Sequence, residues 1–130
     1  MKVIHVSGRR KSAVARATLK QGDGKIRINS APLEIYQPEM HQLKIMEPIM
    51  LAGETAKKVN ISINVNGGGQ ASQAEAVRLA IGKALVQFYA PLKKTFLSYD
   101  RTLLIADVRR KEPYKPNDSK ARAKRQKSYR

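Results

Sequence analysis

Half of the net positive charge of this chain sits where no core can form. Residues 109–130 hold 10 basic and 2 acidic residues, a net of +8, while residues 1–108 hold 16 basic and 8 acidic, also +8. In those last 22 residues, Pro113, Pro116, Tyr114, Tyr129 and a few Ala are the main departures from a charged and polar composition. Such a segment buries too little apolar area to offset the entropy of ordering it. It reads as an extended basic C-terminal tail, and the fold has to be built from residues 1–108. That length suits one domain, and a chain that is 42% hydrophobic has enough apolar side chains for a modest core.

The total of +16 calls for a polyanionic partner, nucleic acid before an anionic membrane. No apolar run approaches the roughly 18 residues that a membrane span needs. At the N-terminus, MKVIHVSGRRK places a short apolar run before its basic cluster, the reverse of a signal peptide. There is no Cys, and His5 and His41 are the only His, so neither a disulfide framework nor a metal site is expected. A cytoplasmic location, no cofactor and no membrane partner complete this expectation.

Periodicity gives an outline of the folded part. Val3, Ile4 and Val6 suggest a first strand, and Ser12 to Lys20 a second. Gln21-Gly22-Asp23-Gly24 has the residues of a tight turn, so Lys25 to Asn29 is expected to return as an antiparallel partner. Pro38 suits a first helical position, Met40, Leu43 and Met46 follow at helical spacing, and Pro48 is expected to end or kink the helix. Val59 to Val65 alternates β-branched and polar residues without a break, the pattern of a strand with one buried face. After Gly67-Gly68-Gly69, Ser72 and Glu75 have the spacing of a capping box. Ala74, Val77, Ile81, Ala84, Leu85 and Phe88 then form an apolar stripe, closed by Pro91. A further short helix is expected over residues 92–97. The order βββαβα predicts an α+β fold: a mixed four-stranded sheet with helices packed on one face.

Three features bear on function. Gly8-Arg9-Arg10-Lys11, with Arg16 beyond it, can form a phosphate-binding patch, because guanidinium forks match phosphate oxygens. Gly67 to Ser72 lies between strand and helix, as nucleotide loops do, but lacks the Gly-Lys-Ser/Thr of a P-loop and the third Gly of a dinucleotide fingerprint. A connection with a helix cap, or a close backbone approach to RNA phosphate, fits it better. Asn60, Ser62, Asn64 and Asn66 share one strand face, as solvated residues or as hydrogen bonders to sugar and phosphate. No catalytic set is evident: the acids are scattered and neither His has a sequence-evident partner. Five Tyr and two Phe without a repeating pattern argue against base-stacking platforms and for folded RNA held by backbone and shape.

Three segments carry a resemblance to a known family: Gly8 to Ala17 (GRRKSAVARA), Gly67 to Leu85 (GGGQASQAEAVRLAIGKAL), and the terminal Gln126-Lys127-Ser128-Tyr129-Arg130. Together they resemble the ninth protein of the small ribosomal subunit, and the Lys-Ser-Tyr-Arg ending resembles its archaeal and eukaryotic branch, with the compact length favouring the archaeal type. Where that family carries a Gly-rich linker, Lys111 to Ala121 contains Pro113, Pro116 and Asn117-Asp118. The resemblance implies a globular RNA-binding domain over residues 1–108 in the head of the small subunit, beside neighbouring ribosomal proteins, and a tail over residues 109–130 directed towards the peptidyl-site tRNA. On this reading Arg9, Arg10, Lys11 and Arg16 grip rRNA from the domain. Arg109, Arg110, Lys111, Lys120, Arg122, Lys124, Arg125 and Lys127 neutralise phosphates along the tail, and Ser128, Tyr129 and Arg130 touch tRNA. A nucleotide-using enzyme, motivated by the Gly-rich loop, and a membrane or chromatin binder acting through the tail are the competing readings. The first lacks its motif, and the second lacks an apolar stripe.

Overall fold

The computed structural model describes residues 3–36, 39–106, 108, 109 and 116. Strands β1 (Ile4–Arg10), β2 (Ala13–Gln21), β3 (Ile26–Ile28) and β4 (Ala31–Pro32) precede helix α1 (Glu39–Ala52). Strand β5 (Val59–Asn66) and helices α2 (Gln70–Phe88) and α3 (Leu92–Tyr99) follow, with short 3-10 turns at Leu33–Ile35, Gly53–Lys58 and Arg101–Leu103. Pro38 lies outside the described residues.

The fold is α+β with a mixed sheet, but the sheet has five strands, not four, in the order β1-β2-β5-β3-β4. The additional strand is β4, two residues long. Asn29 and Ser30 both take positive φ (51° and 71°) and link the paired residues Ile28 and Ala31, as a two-residue hairpin with right-handed strand twist requires. The expected antiparallel pairing of β2 with β3 is also corrected. β5 lies between them, antiparallel to β2 and parallel to β3. The Gln21–Gly24 link is therefore not a tight hairpin but a bridge across the start of β5. Gly22 N–H donates to the Lys58 carbonyl (2.9 Å) and Gly24 N–H to that of Val59 (3.0 Å), while Asn60 Oδ1 accepts from the N–H groups of Asp23 and Lys25. At the other end of β3, Asn29 substitutes its side chain for backbone, accepting from Val65 N–H (2.9 Å) and donating to the Val65 carbonyl (3.3 Å). The connection from β3 to its parallel neighbour β5 runs through α1, since parallel strands need a long crossover.

Strand alternation sorts the sheet into two faces. Ala13, Ala15, Ala17 and Leu19 of β2 and Val59, Ile61, Ile63 and Val65 of β5 are buried, while the residues between them are exposed or partly so. α2 packs over the buried face, chiefly on β1 and β2, and α1 lies against α2. The middle of α2 is consequently enclosed on all sides: every residue from Ala76 to Gly82 is buried. Two glycines permit close approaches to α2. A Cβ at Gly8 would stand 2.4 Å from the Ala76 carbonyl oxygen, and one at Gly82 would stand 2.3 Å from that of Leu103.

Two local expectations change. α1 runs through Pro48, which is buried inside it, and ends where Gly53 takes a φ of 59°. α2 begins two residues before Ser72, capped by Gly69 without a side-chain hydrogen bond, so Ser72 and Glu75 form no capping box. Glu75 is engaged elsewhere.

Candidate nucleic-acid interface

The pleat divides the Arg9-Arg10-Lys11 cluster. Arg9 pairs in register with Val14 on the side away from α2, Arg10 with Ala13 on the helix side, and Lys11 occupies the turn with a φ of 54°. Arg9 and Lys11 are exposed. The Arg10 side chain is only 13% exposed, and its Nε forms an ion pair with Glu75, whose other oxygen accepts from Lys44 Nζ at 2.9 Å. Arg10 thus ties β1 to α2, and through Glu75 to α1. Burial works against charge on Glu75, but hydrogen bonds from Lys44 and Arg10 and their positive charges outweigh it and hold the carboxyl below its ordinary value.

A second ion-pair group adjoins the first. Arg78 of α2 is 6% exposed. Its Nε and Nη2 donate to Glu47 Oε2 (2.9 and 2.6 Å), Nη2 also to Asp100 Oδ2 (3.1 Å), and Nη1 to the Thr102 hydroxyl (3.1 Å). Burial opposes charge on Asp100, yet Thr102 N–H, the Thr102 hydroxyl and Arg78 together lower its pKa. One guanidinium therefore joins α1, α2 and the corner after α3. Both groups line a cleft of about 460 Å³ to which Arg9 and Arg109 also contribute. Arg109, the first residue of the basic tail, thus lies beside the Arg78 clamp.

The sheet face away from α2 is open and polar. It carries Arg16, Lys20 and Arg27 together with Ser62, Asn64 and Asn66, all exposed. Asn60, on the same face, holds the β2–β3 bridge. His5 also lies there, its Nδ1 3.1 Å from the Thr18 hydroxyl.

The Gly-rich loop is shaped by its own chain. Gly67 and Gly68 have positive φ (81° and 64°), and a Cβ on Gly67 would stand 2.5 Å from the Ser12 carbonyl oxygen. The loop closes on the β1–β2 turn, and Gln73 Nε2 donates to the Gly67 carbonyl (3.0 Å). Only at Gly69 would a Cβ meet open space. Among the described residues no group of His, Asp or Glu could hold a metal ion, and no helix is long and apolar enough to cross a membrane.

The profile of the family described as ribosomal protein S9/S16 matches residues 8–130. The small ribosomal subunit protein uS9 of Methanococcus maripaludis is 55% identical over 134 aligned residues that cover the whole of both chains. The uS9 of Methanococcus vannielii is 52% identical over the same span. The chain belongs to the ribosomal protein S9/S16 family. It is a ribosomal protein, not an enzyme, and these two full-length relatives are archaeal, in keeping with the archaeal type that the Lys-Ser-Tyr-Arg ending and the compact length together favour. The S9/S16 match extends through the tail. Arg110, Lys111, Lys120, Arg122, Lys124, Arg125, Lys127, Ser128, Tyr129 and Arg130 lie outside the described residues.

Sequence reasoning missed the internal engagement of Arg10 and the burial of Arg78. The available signal for Arg78 was its place next to Val77 in a helix that is apolar on more than one side. It also passed over Lys20 and Arg27, although strict alternation places them on the face of Arg16 and Ser62.

Proposed function

We propose that this chain is a structural constituent of the small ribosomal subunit, working in the cytoplasm as part of the ribosome. The globular domain, residues 1–108, binds rRNA in the subunit head beside neighbouring ribosomal proteins, and residues 109–130 form a basic tail that reaches the peptidyl-site tRNA. The family match across residues 8–130 carries this reading. The charge division agrees with it: +8 on a domain that can dock in one orientation and +8 on a segment with no core of its own. Arg9, Arg10, Lys11 and Arg16 would grip rRNA from the domain; Arg9, Lys11 and Arg16 are exposed, and Arg10 also fixes β1 against α2 through Glu75. Arg109, Arg110, Lys111, Lys120, Arg122, Lys124, Arg125 and Lys127 would neutralise phosphates along the tail, and Ser128, Tyr129 and Arg130 would meet tRNA.

The deciding experiment removes Gln126–Arg130. Subunits reconstituted with the shortened chain should assemble normally and release peptidyl-site tRNA faster than subunits with the full chain. Equal release rates would remove the tail from tRNA binding, and failure to assemble would place these five residues in rRNA binding instead.

A further inference from the structure

None of the five strands contains an acidic residue. The acids described in the domain lie in the β2–β3 bridge (Asp23) or on the helical side of the molecule and its turns (Glu34, Glu39, Glu47, Glu54, Glu75 and Asp100). The strands of the open sheet face therefore carry cations and neutral polar residues but no acid, and the nearest described acid, Asp23 in the bridge, pairs with Lys25 at 3.9 Å. Arg16 of β2 and Arg27 of β3 stand on either side of β5, whose Ser62 pairs with Arg27 and whose Asn64 pairs with Arg16. With strands about 4.8 Å apart and a two-residue step of about 6.7 Å, their Cα positions are roughly 12 Å apart on a diagonal. Lys20 lies one step further along β2, opposite Asn60, and Lys25 enters β3 at the same level.

Two shallow hollows meet on this face at Thr18. One, of about 640 Å³, is bordered by His5, Ser7, Arg16, Asn64 and Lys83. The other, of about 550 Å³, is bordered by Lys20, Lys25, Arg27, Asn60 and Ser62. None of the exposed large hydrophobic side chains of the domain belongs to β2, β3 or β5: they lie on α1 and α3, at the C-terminal end of α2, at the chain's turns and at its ends. A protein partner would need apolar or aromatic anchors here, and a single strand would need stacking platforms. Cations alternating with hydroxyls and amides suit sugar-phosphate backbone instead.

We propose that the open face of the sheet, through Arg16, Lys20, Lys25 and Arg27, is a docking surface for the phosphodiester backbone of folded RNA, with Ser62 and Asn64 bonding sugar or phosphate oxygens between the cations. The proposal rests on the rRNA reading above and extends it from Arg16 to the rest of the open sheet face. The face grips by shape and charge and reads no base sequence.

The test compares the full chain, the full chain with Arg16→Gln, Lys20→Gln and Arg27→Gln, and a control with Lys57→Gln, Lys93→Gln and Lys94→Gln. Each is titrated with small-subunit rRNA across a range of salt concentrations. The open-face variant should lose about three from the slope of log affinity against log salt, and ten- to a hundredfold in affinity at physiological salt, with the control close to the parent. An unchanged slope in the open-face variant beside a parent that binds would overturn the proposal and leave the rRNA reading standing. A parent that does not bind saturably would overturn both. An equal loss in the control would reduce the effect to net charge and overturn the surface. Unchanged rRNA affinity with defective subunit incorporation would assign the face to an acidic protein, overturning it likewise. Ultraviolet crosslinking of the unmutated chain to rRNA gives a readout independent of variant folding. Crosslinked peptides from residues 16–27 and 60–64 support the surface, and crosslinks confined to other peptides overturn it.

Discussion

Arg78 carries a charge in a buried position because several partners receive it. Glu47, Asp100 and Thr102 together occupy Nε, Nη1 and Nη2, so no side of the guanidinium faces apolar atoms alone. Arg78→Ala would leave two carboxylates close together without their cation. Because Glu47 and Asp100 are about one-third exposed, water recovers part of the loss, and we predict a destabilisation of about 2–3 kcal/mol by urea denaturation. Arg78→Lys should recover little of it, since one ammonium cannot span the same three groups. Glu75 and Asp100 also predict an acid sensitivity of known sign. Their folded-state pKa values lie below the ordinary ones, so the stability they contribute is complete above the usual carboxylate range and is lost as pH falls through the lowered values. Glu75→Gln should lower stability at neutral pH and flatten its decline between about pH 5 and 2, in denaturation curves recorded at each pH.

At the scale of elements, Gly82 is the clearest case of a local rule overridden by packing. Ala is better than Gly by about 1 kcal/mol inside a helix, yet a Cβ there would overlap the Leu103 carbonyl oxygen. We predict that Gly82→Ala destabilises the protein by about 1–3 kcal/mol. Hydrogen exchange should rise first at residues 101–105, where the 3-10 turn would be lifted from α2. Gly8→Ala should act in the same direction by separating β1 from α2. The elements differ in how far the chain announced them. β5 was fully legible, because Val59 to Val65 alternates without exception and each odd position is buried. The neighbours of β3 were not. Gln21-Gly24 has hairpin residues, and nothing local shows that Asn60, 36 positions beyond Gly24, supplies the acceptor that holds the link open. Pro48 does not end α1, for a related reason: a breaker in isolation is accepted in a helix supported by α2. The same limit applies to the candidate interface. Residue type marked Arg9, Arg10 and Lys11 as one patch, while the alternation of β1 and the acid at Glu75 separated them.

At the scale of the molecule, charge is segregated into three zones: an acid-free sheet face, a helical side where cations and acids neutralise one another, and a C-terminal segment with half the net charge. If residues 109–130 contribute nothing to the core, deleting them should leave the thermal midpoint of residues 1–108 within about 2–4 °C of the parent. The salt slope for rRNA should fall in the same variant, and calorimetry paired with titration would separate the two effects. A fall of 10 °C or more would instead assign the segment a share in the core.

The central position of β5 also has a consequence for synthesis. β2 and β3 are complete by residue 28, but the strand that must lie between them ends at Asn66. At roughly 5–20 residues per second, the nascent chain spends on the order of two to eight seconds with both of those edges exposed and unpaired. Edge strands left open in this way invite pairing with other chains, and cations along them discourage it. Arg16, Lys20 and Arg27 all lie on those two strands. Side chains suited to a polyanion in the finished molecule therefore also keep two incomplete copies apart while each waits for its keystone strand.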